Sequence, residues 1–271
     1  MSTLMTDALA RLREELRHEP TAKRIRGTLG GDVVVESTRA LLVWEPRRIS
    51  PTYAVPREDI RAELASAGPV EPGGPAFIHP GIPFHVHSTG GESLALSAAG
   101  RTIGDAAFRP ADPDLDGYLM LDFDAFDQWY EEDEPVRAHP RDPYHRLDVR
   151  TSSRHVRMAH QRQLVVDTRR PVLVFETHLP TRFYVPREDV VAELRPSALT
   201  TYCPYKGEAV YWSTATRRDI AWSYQKPLPD AVQLTDLIGF YDDVMEVTVD
   251  GQPHGRPETL AASALRDEFG V

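Results

Sequence analysis

The chain of 271 residues contains a single cysteine, Cys203. One thiol can make neither an internal disulfide nor a cysteine-based zinc site, so a reducing cytoplasm is the expected compartment. No apolar run approaches the roughly 18 residues of a membrane span, and no membrane partner is expected. The first residues lack the apolar core and small-residue cleavage site of a signal peptide. Positive charge is also scarce, with a net charge of -10. Phosphate binding draws on a basic surface and counterion release, so no nucleic-acid partner is expected. What remains, 41% hydrophobic and 27% charged, is the composition of an ordinary soluble globular protein, long enough for one or two domains with real cores.

Met5, Leu9, Leu12 and Leu16 fall on one stripe, which predicts a helix over residues 3–18 ended by Pro20. It either packs on its own domain or forms a homodimer contact. Beyond it the sequence repeats itself. Gly31-Asp32-Val33-Val34-Val35-Glu36 through Glu45 aligns with Arg162-Gln163-Leu164-Val165-Val166-Asp167 through Glu176. Tyr53-Ala54-Val55-Pro56-Arg57-Glu58-Asp59 meets Tyr184-Val185-Pro186-Arg187-Glu188-Asp189, with Ala54 left over. More faintly, Gly91–Ser97 answers Gly207–Ser213 and Asp105–Phe108 answers Asp219–Trp222. Repetition at this period means two copies of one structural unit.

Within a copy the pattern is β. Runs such as Leu41–Trp44, Val172–Phe175, Ala209–Ser213 and Val244–Val249 are bounded by Gly, Pro, Asp and Arg. The expected fold is mainly β with short helices (α+β), two tandem antiparallel sandwiches or partly open barrels. Pro56 and Pro186 followed by acids suit helix starts, predicting short helices over 57–65 and 187–194. The expected organisation is an N-terminal helix (1–20), a first, degenerate repeat (21–134), a linker (135–150), a second repeat (151–252) and a C-terminal tail (253–271) with a final helix from Pro257 to Phe269. Phe123, Phe126, Trp129 and Tyr130 recur at helical spacing, so Asp122–Glu134 is expected as an amphipathic helix, with a cation site on its acids as the sharper alternative.

Trp129-Tyr130-Glu131-Glu132-Asp133-Glu134, His139-Pro140-Arg141-Asp142-Pro143-Tyr144, Tyr184–Val190, Cys203-Pro204-Tyr205-Lys206-Gly207, Tyr211-Trp212 and Ala221-Trp222-Ser223-Tyr224 together resemble domain-of-unknown-function family 427 in its tandem form. The resemblance covers residues 24–251 and is stronger in the second copy. It implies a small β-rich fold, similar to the β-tent class of ligand modules, and a bacterial or fungal-type soluble protein without an established activity. The family is also filed under a nucleotidyltransferase label, but the paired aspartates beside a Gly-Ser element that such enzymes use are missing from this sequence.

The chemistry concentrates around Cys203. A thiol turns nucleophilic when a neighbouring cation lowers its pKa, and Lys206 lies three residues on, making Cys203 the candidate catalytic residue. No motif places a base among His155, His160, His178 and His254, and a small core cysteine is the plainer expectation. His85 and His87 on a strand would share a face, with His79 near, as the beginning of a metal site without a third ligand. Arg170 and Arg187 recur as Arg39 and Arg57. They suit either fold-stabilising pairs, such as Glu176 with Arg187, or a bound carboxylate or phosphate. Trp212 and Trp222 stand opposite apolar residues of the first copy and are expected in the core. Tyr205, Lys206, Tyr211 and Tyr224 are gains of the second copy, Tyr211 standing where the first has Ala95. They are the expected binding residues for a small polar or anionic ligand, with cofactor unassigned. Group-transfer or redox chemistry at Cys203, and a protein-interaction scaffold built on the N-terminal helix and the acidic segment, are the alternatives.

Overall fold

Short runs of β-branched and aromatic residues become strands throughout the computed structural model, which describes residues 2–255 and 262–263. The chain forms two units, Met1–Asp142 and Pro143–Val271. In the first, helix α1 (Met5–Arg13) precedes strands β1 (Arg17–Pro20), β2 (Ile25–Leu29), β3 (Asp32–Ser37), β4 (Leu41–Trp44), β5 (Thr52–Pro56) and β6 (Glu63–Val70). It continues with β7 (Gly91–Ala98), β8 (Arg101–Pro110), β9 (Tyr118–Leu121), β10 (Gln128–Glu131) and β11 (Glu134–Val136). The second contains β12 (Leu147–Thr151), β13 (Val156–His160), β14 (Gln163–Thr168), β15 (Val172–Glu176), β16 (Arg182–Val185) and β17 (Arg195–Cys203). It ends with β18 (Gly207–Ser213), β19 (Ala221–Ser223), β20 (Ile238–Phe240), β21 (Glu246–Val249) and β22 (Gln252–His254).

The two units share one topology. A seven-stranded antiparallel sheet runs β1-β4-β5-β9-β8-β7-β6 in the first and β12-β15-β16-β20-β19-β18-β17 in the second. A four-stranded sheet runs β11-β10-β2-β3 in the first and β22-β21-β13-β14 in the second. Every strand has its counterpart, and no sheet closes into a barrel among the described residues. The fold is mainly β, as the alternation of apolar runs and turn residues implied.

The seven-stranded sheet is covered on both faces. In the first unit Ile25, Val35, Leu42, Tyr53, Leu96, Leu119 and Trp129 fill the space between the sheets. Leu41, Val43, Ala54, Phe108 and Met120 form a second core on the sheet's other face. Neighbouring residues point to opposite faces, so a sheet buried on both sides needs unbroken apolar strands. Leu41–Trp44 and Thr52–Pro56 are accordingly buried at every position.

Several expectations fail for local reasons. The helix over 3–18 stops at Arg13 because Arg17–Pro20 pairs with β4, and Met5, Leu9 and Leu12 stay exposed. The helices over 57–65 and 187–194 shrink to 3-10 turns at Arg57–Asp59 and Arg187–Asp189. Ile60 and Val190 are drawn into β-bridges with Val35 and Val166, which ends each turn. Asp122–Glu134 is not a helix: β10 lays Trp129 over Gly27, where an added Cβ would lie 3.0 Å from the indole. Its acids meet bases, Glu131 with Lys23 at 2.5 Å and Asp133 with Arg24 and Arg26 at 2.9 and 2.8 Å. The strand Leu147–Thr151, which begins inside the expected linker 135–150 and ends at the first residue of the expected second repeat, pairs with β15 as an edge strand. The helix from Pro257 to Phe269 lies outside the described residues apart from Ala262 and Ser263, which are helical.

The turns are shared as well. Gly30-Gly31 and Gln161-Arg162 connect β2 to β3 and β13 to β14, all four with φ between 52° and 90°. A two-residue hairpin with both central residues left-handed matches the twist of its strands. The arginine pairs are also architectural. Ser37 and Thr168 each donate to the following aspartate, Asp59 or Asp189, at 2.6 Å. Arg39 then bridges Glu58 and Asp59 as Arg170 bridges Glu188 and Asp189.

Candidate functional site

Strand register corrects the alignment of the repeats where it matters. Across the outer face of the first seven-stranded sheet, Leu41, Ala54, Met120, Phe108 and Ser93 pair in one row. The corresponding row in the second is Val172, Tyr184, Gly239, Trp222 and Tyr211. Tyr184 therefore replaces Ala54 and not Tyr53, and Tyr211 replaces Ser93 and not Ala95. Between Leu94 and Leu96 the partner strand runs from Ala107 to Ile103, so extra residues in β8 shift the first copy's register against the linear alignment.

This row belongs to a packed core in the first repeat and supplies Tyr184, Trp222 and Tyr211 to the wall of an aromatic cavity in the second. Gly239 makes room where the first repeat has Met120: a Cβ there would lie 2.9 Å from both Trp222 and Tyr184. Trp222 Nε1 donates to the Tyr184 hydroxyl at 2.9 Å, with the rings edge to face. Tyr241 packs against Trp222 with centroids 4.7 Å apart, and the Tyr211 hydroxyl shares a hydrogen bond of 3.2 Å with Thr201. Between them lies a cavity of about 140 Å³, also lined by Lys206, Glu176, Arg182 and Tyr224. At about 30 Å³ per water it has the volume of roughly four or five waters.

The charges at this cavity are paired. The β17–β18 hairpin closes at Cys203 and Gly207, and the Lys206 carbonyl accepts from the Leu228 amide at 3.1 Å, which fixes the lysine's backbone. Lys206 Nζ donates to Glu176 Oε2, and His145 Nε2 lies 3.2 Å from Glu176 Oε1. Burial pushes the Glu176 carboxyl up, but the Lys206 ammonium and His145 outweigh it and hold it at about 2. For Lys206, burial favours loss of the proton and Glu176 overcomes it, so its pKa is raised. Arg182 pairs with the buried Asp242 and Asp243. Burial, with Glu176 and other neighbours, raises the Tyr184 hydroxyl to about 12 and the Tyr224 hydroxyl well above its ordinary value. The hydroxyls therefore stay protonated at neutral pH and can donate.

Of the residues singled out by sequence, Lys206, Tyr211 and Tyr224 meet at this cavity. Tyr205 is buried beside it, stacked on His145 at 3.7 Å between centroids. Cys203 is half-buried at the end of β17 and does not line the cavity. Arg170 sits in its carboxylate clasp. Arg187 lies exposed over the Trp212 ring at 5.8 Å. The expected Glu176–Arg187 pair does not form, because Lys206 and His145 take the carboxylate. Tyr184, Tyr241 and Arg182 were missed. The one-residue length difference before Tyr184 hid it, and the Phe240-Tyr241-Asp242-Asp243 cluster was its only other sequence signal. Trp222 belongs to the core and to the cavity wall at once. In the first repeat His85 and His87 lie in a loop, not on a strand, and His87 stacks on Phe108 at 3.6 Å with Nδ1 3.1 Å from Glu45. Among the described residues no three His, Cys, Asp or Glu side chains converge to hold a metal ion.

Fold and site together define a tandem β protein in which one repeat keeps a packed outer core around Phe108 and Met120 and the other opens it into a tyrosine-lined cavity. The chain belongs to the family described as domain of unknown function DUF427, NTP_transf_9, whose pattern matches residues 17–71 and 148–251. The second segment spans β12 to β21 almost entirely, whereas the first ends at β6, before the loop that replaces the Cys-Pro-Tyr-Lys turn. No curated protein sequence matches the chain.

Proposed function

We propose that the second repeat is a binding module for a small, uncharged polar molecule rich in hydroxyl or amide groups. The observation that carries this is the replacement of Ala54, Ser93 and Met120 by Tyr184, Tyr211 and Gly239 along one row of the sheet. Packing alone gives no reason to exchange a filled core for a cavity ringed with phenol hydroxyls, since a void forfeits contacts and buried hydroxyls need partners. Tyrosine offers a flat apolar face and a fixed polar tip, the combination that suits sugars, nucleosides and other polyols.

The charge pattern decides between neutral and anionic ligands. Lys206 and Arg182 face Glu176, Asp242 and Asp243, two cations against three anions. An anion would have to displace a buried carboxylate from its partner, which costs more than an exposed contact returns. The test is a thermal-shift and calorimetric screen of the full chain with monosaccharides, polyols and nucleosides against phosphates and carboxylic acids. Neutral compounds are expected to raise the melting temperature, and Tyr211→Phe and Tyr184→Phe to reduce that shift. Stabilisation by anions alone, unchanged in both variants, would sink the proposal.

A further inference from the structure

Two hydroxyls at the second repeat's cavity carry protons that no side chain takes. Tyr184 accepts the Trp222 indole N–H at 2.9 Å, and nothing among the described residues accepts its own proton. Tyr224, only 5% exposed, lines the same cavity, and its hydroxyl has no hydrogen-bond partner among the described residues. Burial pushes the Tyr224 hydroxyl up, and Tyr184, Cys203 and Glu176 add to it, so the group keeps its proton and has negative neighbours. Neither hydroxyl has a counterpart in the first repeat. Ala54 stands where Tyr184 does. Phe108 and Trp222 share one position of the row, which sets Pro110 in the place of Tyr224, two residues further on. Buried hydroxyls are ordinarily bonded, and a phenol that only filled space would serve the fold less well than phenylalanine.

The acceptors of the same wall are already engaged. Glu176 receives Lys206 on Oε2 and has His145 at 3.2 Å from Oε1, the Tyr184 oxygen holds the indole proton, and Tyr211 shares its hydrogen bond with Thr201. Lys206 has three N–H groups, of which Glu176 occupies one. The unused capacity is therefore chiefly that of donors. A ligand hydroxyl accepts from Tyr184 or Tyr224 but brings a proton that meets few free acceptors. A carboxylate or phosphate sets a full negative charge beside Glu176. A carbonyl oxygen brings two lone pairs, no proton and no charge.

We infer that the ligand of the second repeat presents a neutral carbonyl oxygen, as in an amide, lactam, urea or ketone, to the Tyr184 and Tyr224 hydroxyls. This rests on the reading of the cavity as a site for neutral polar molecules, and within that class it selects carbonyl compounds over polyols. The volume of about 140 Å³ suits a single small ring. Ligand-detected NMR titration of the full chain tests it with δ-valerolactam, cyclohexanone and cyclohexanol, rings of one size that differ in their polar group, and with myo-inositol as a polyol. The lactam and the ketone are expected to bind about fivefold tighter than the alcohol and the inositol, the worth of one neutral hydrogen bond. Tyr224→Phe should weaken lactam binding by a similar factor, while its melting temperature without ligand stays at or above that of the wild type, because the hydroxyl removed had no partner. Cyclohexanol that binds as tightly as the lactam, or wild-type lactam affinity in Tyr224→Phe, would overturn the carbonyl assignment and leave the cavity a site for neutral molecules. Binding by none of the four, with anions alone stabilising the chain, would remove that broader reading and this inference with it.

Discussion

Lys206 and Glu176 are the second repeat's most exacting residues, because each is buried and each depends on the other's charge. Removing one partner of a buried pair leaves the other uncompensated, typically at about 3–5 kcal/mol. Lys206→Met should destabilise the protein by that amount in urea unfolding, although it preserves the alkyl stem. The pair also fixes a pH dependence. The Glu176 carboxyl is held at about 2, below its ordinary 4.5, so the unfolded chain binds more protons in that interval. Its contribution is full above pH 4.5 and is lost as the pH falls toward 2. The stability gap between wild type and Glu176→Gln should therefore narrow over the same interval. A gap that stays constant would show that the carboxyl is not held below its ordinary value in the folded state. The first repeat solves the same problem differently: Glu45 accepts from the Ser88 and Thr89 amides and contacts His87, all from the loop before β7. Backbone amides tie that loop down, whereas Lys206 brings a cation to the cavity wall.

At the scale of elements, the seven-stranded sheet explains both what was legible in the sequence and what was not. Apolar runs with turn residues between them identified strands such as Leu41–Trp44 and Val172–Phe175, and the shared Arg-Glu-Asp segments revealed the repeat. The row that builds the cavity was hidden, because it is defined by cross-strand pairing. Tyr184 is set against Ala54 only once β16 is paired with β15 and β20, and the register shift between β7 and β8, whose extra residues lie in β8, misplaces Tyr211 by two residues in the linear alignment. Helix signals failed where neighbouring strands claimed the residues: Trp129 alternates with Tyr130 because β10 pairs with β2, despite its helical spacing. The same pairing logic predicts the effect of two changes. Gly239→Ala puts a methyl 2.9 Å from Trp222 and Tyr184, both held by their mutual hydrogen bond, and should cost about 1–3 kcal/mol as overpacking does. In the β13–β14 turn, Gln161 and Arg162 adopt φ of 52° and 64°, where residues with a Cβ are disfavoured. Replacing them with Asn-Gly should stabilise the protein by about 1 kcal/mol and raise its melting temperature by a few degrees. An unchanged or lower melting temperature would mean the turn is not strained.

For the whole molecule, the repeat gives two units that each contain the complete set of sheets and both cores. Strand pairing closes within each unit: β1 to β11 supply the first pair of sheets and β12 to β22 the second. The inter-sheet core of the second unit, from Val156 to Val249, and its outer core around Tyr184 and Trp222 draw only on residues after Asp142. A segment that buries its own apolar surface and satisfies its own ladders has what independent folding requires. Chains cut between Asp142 and Pro143 should therefore each give a β-type circular dichroism spectrum and a cooperative melt. Neutral polyols or nucleosides that stabilise the full chain should stabilise residues 143–271 alone. A second unit that melts cooperatively yet loses every ligand response would place the binding chemistry outside the tyrosine-lined cavity, while the division into two folding units would stand.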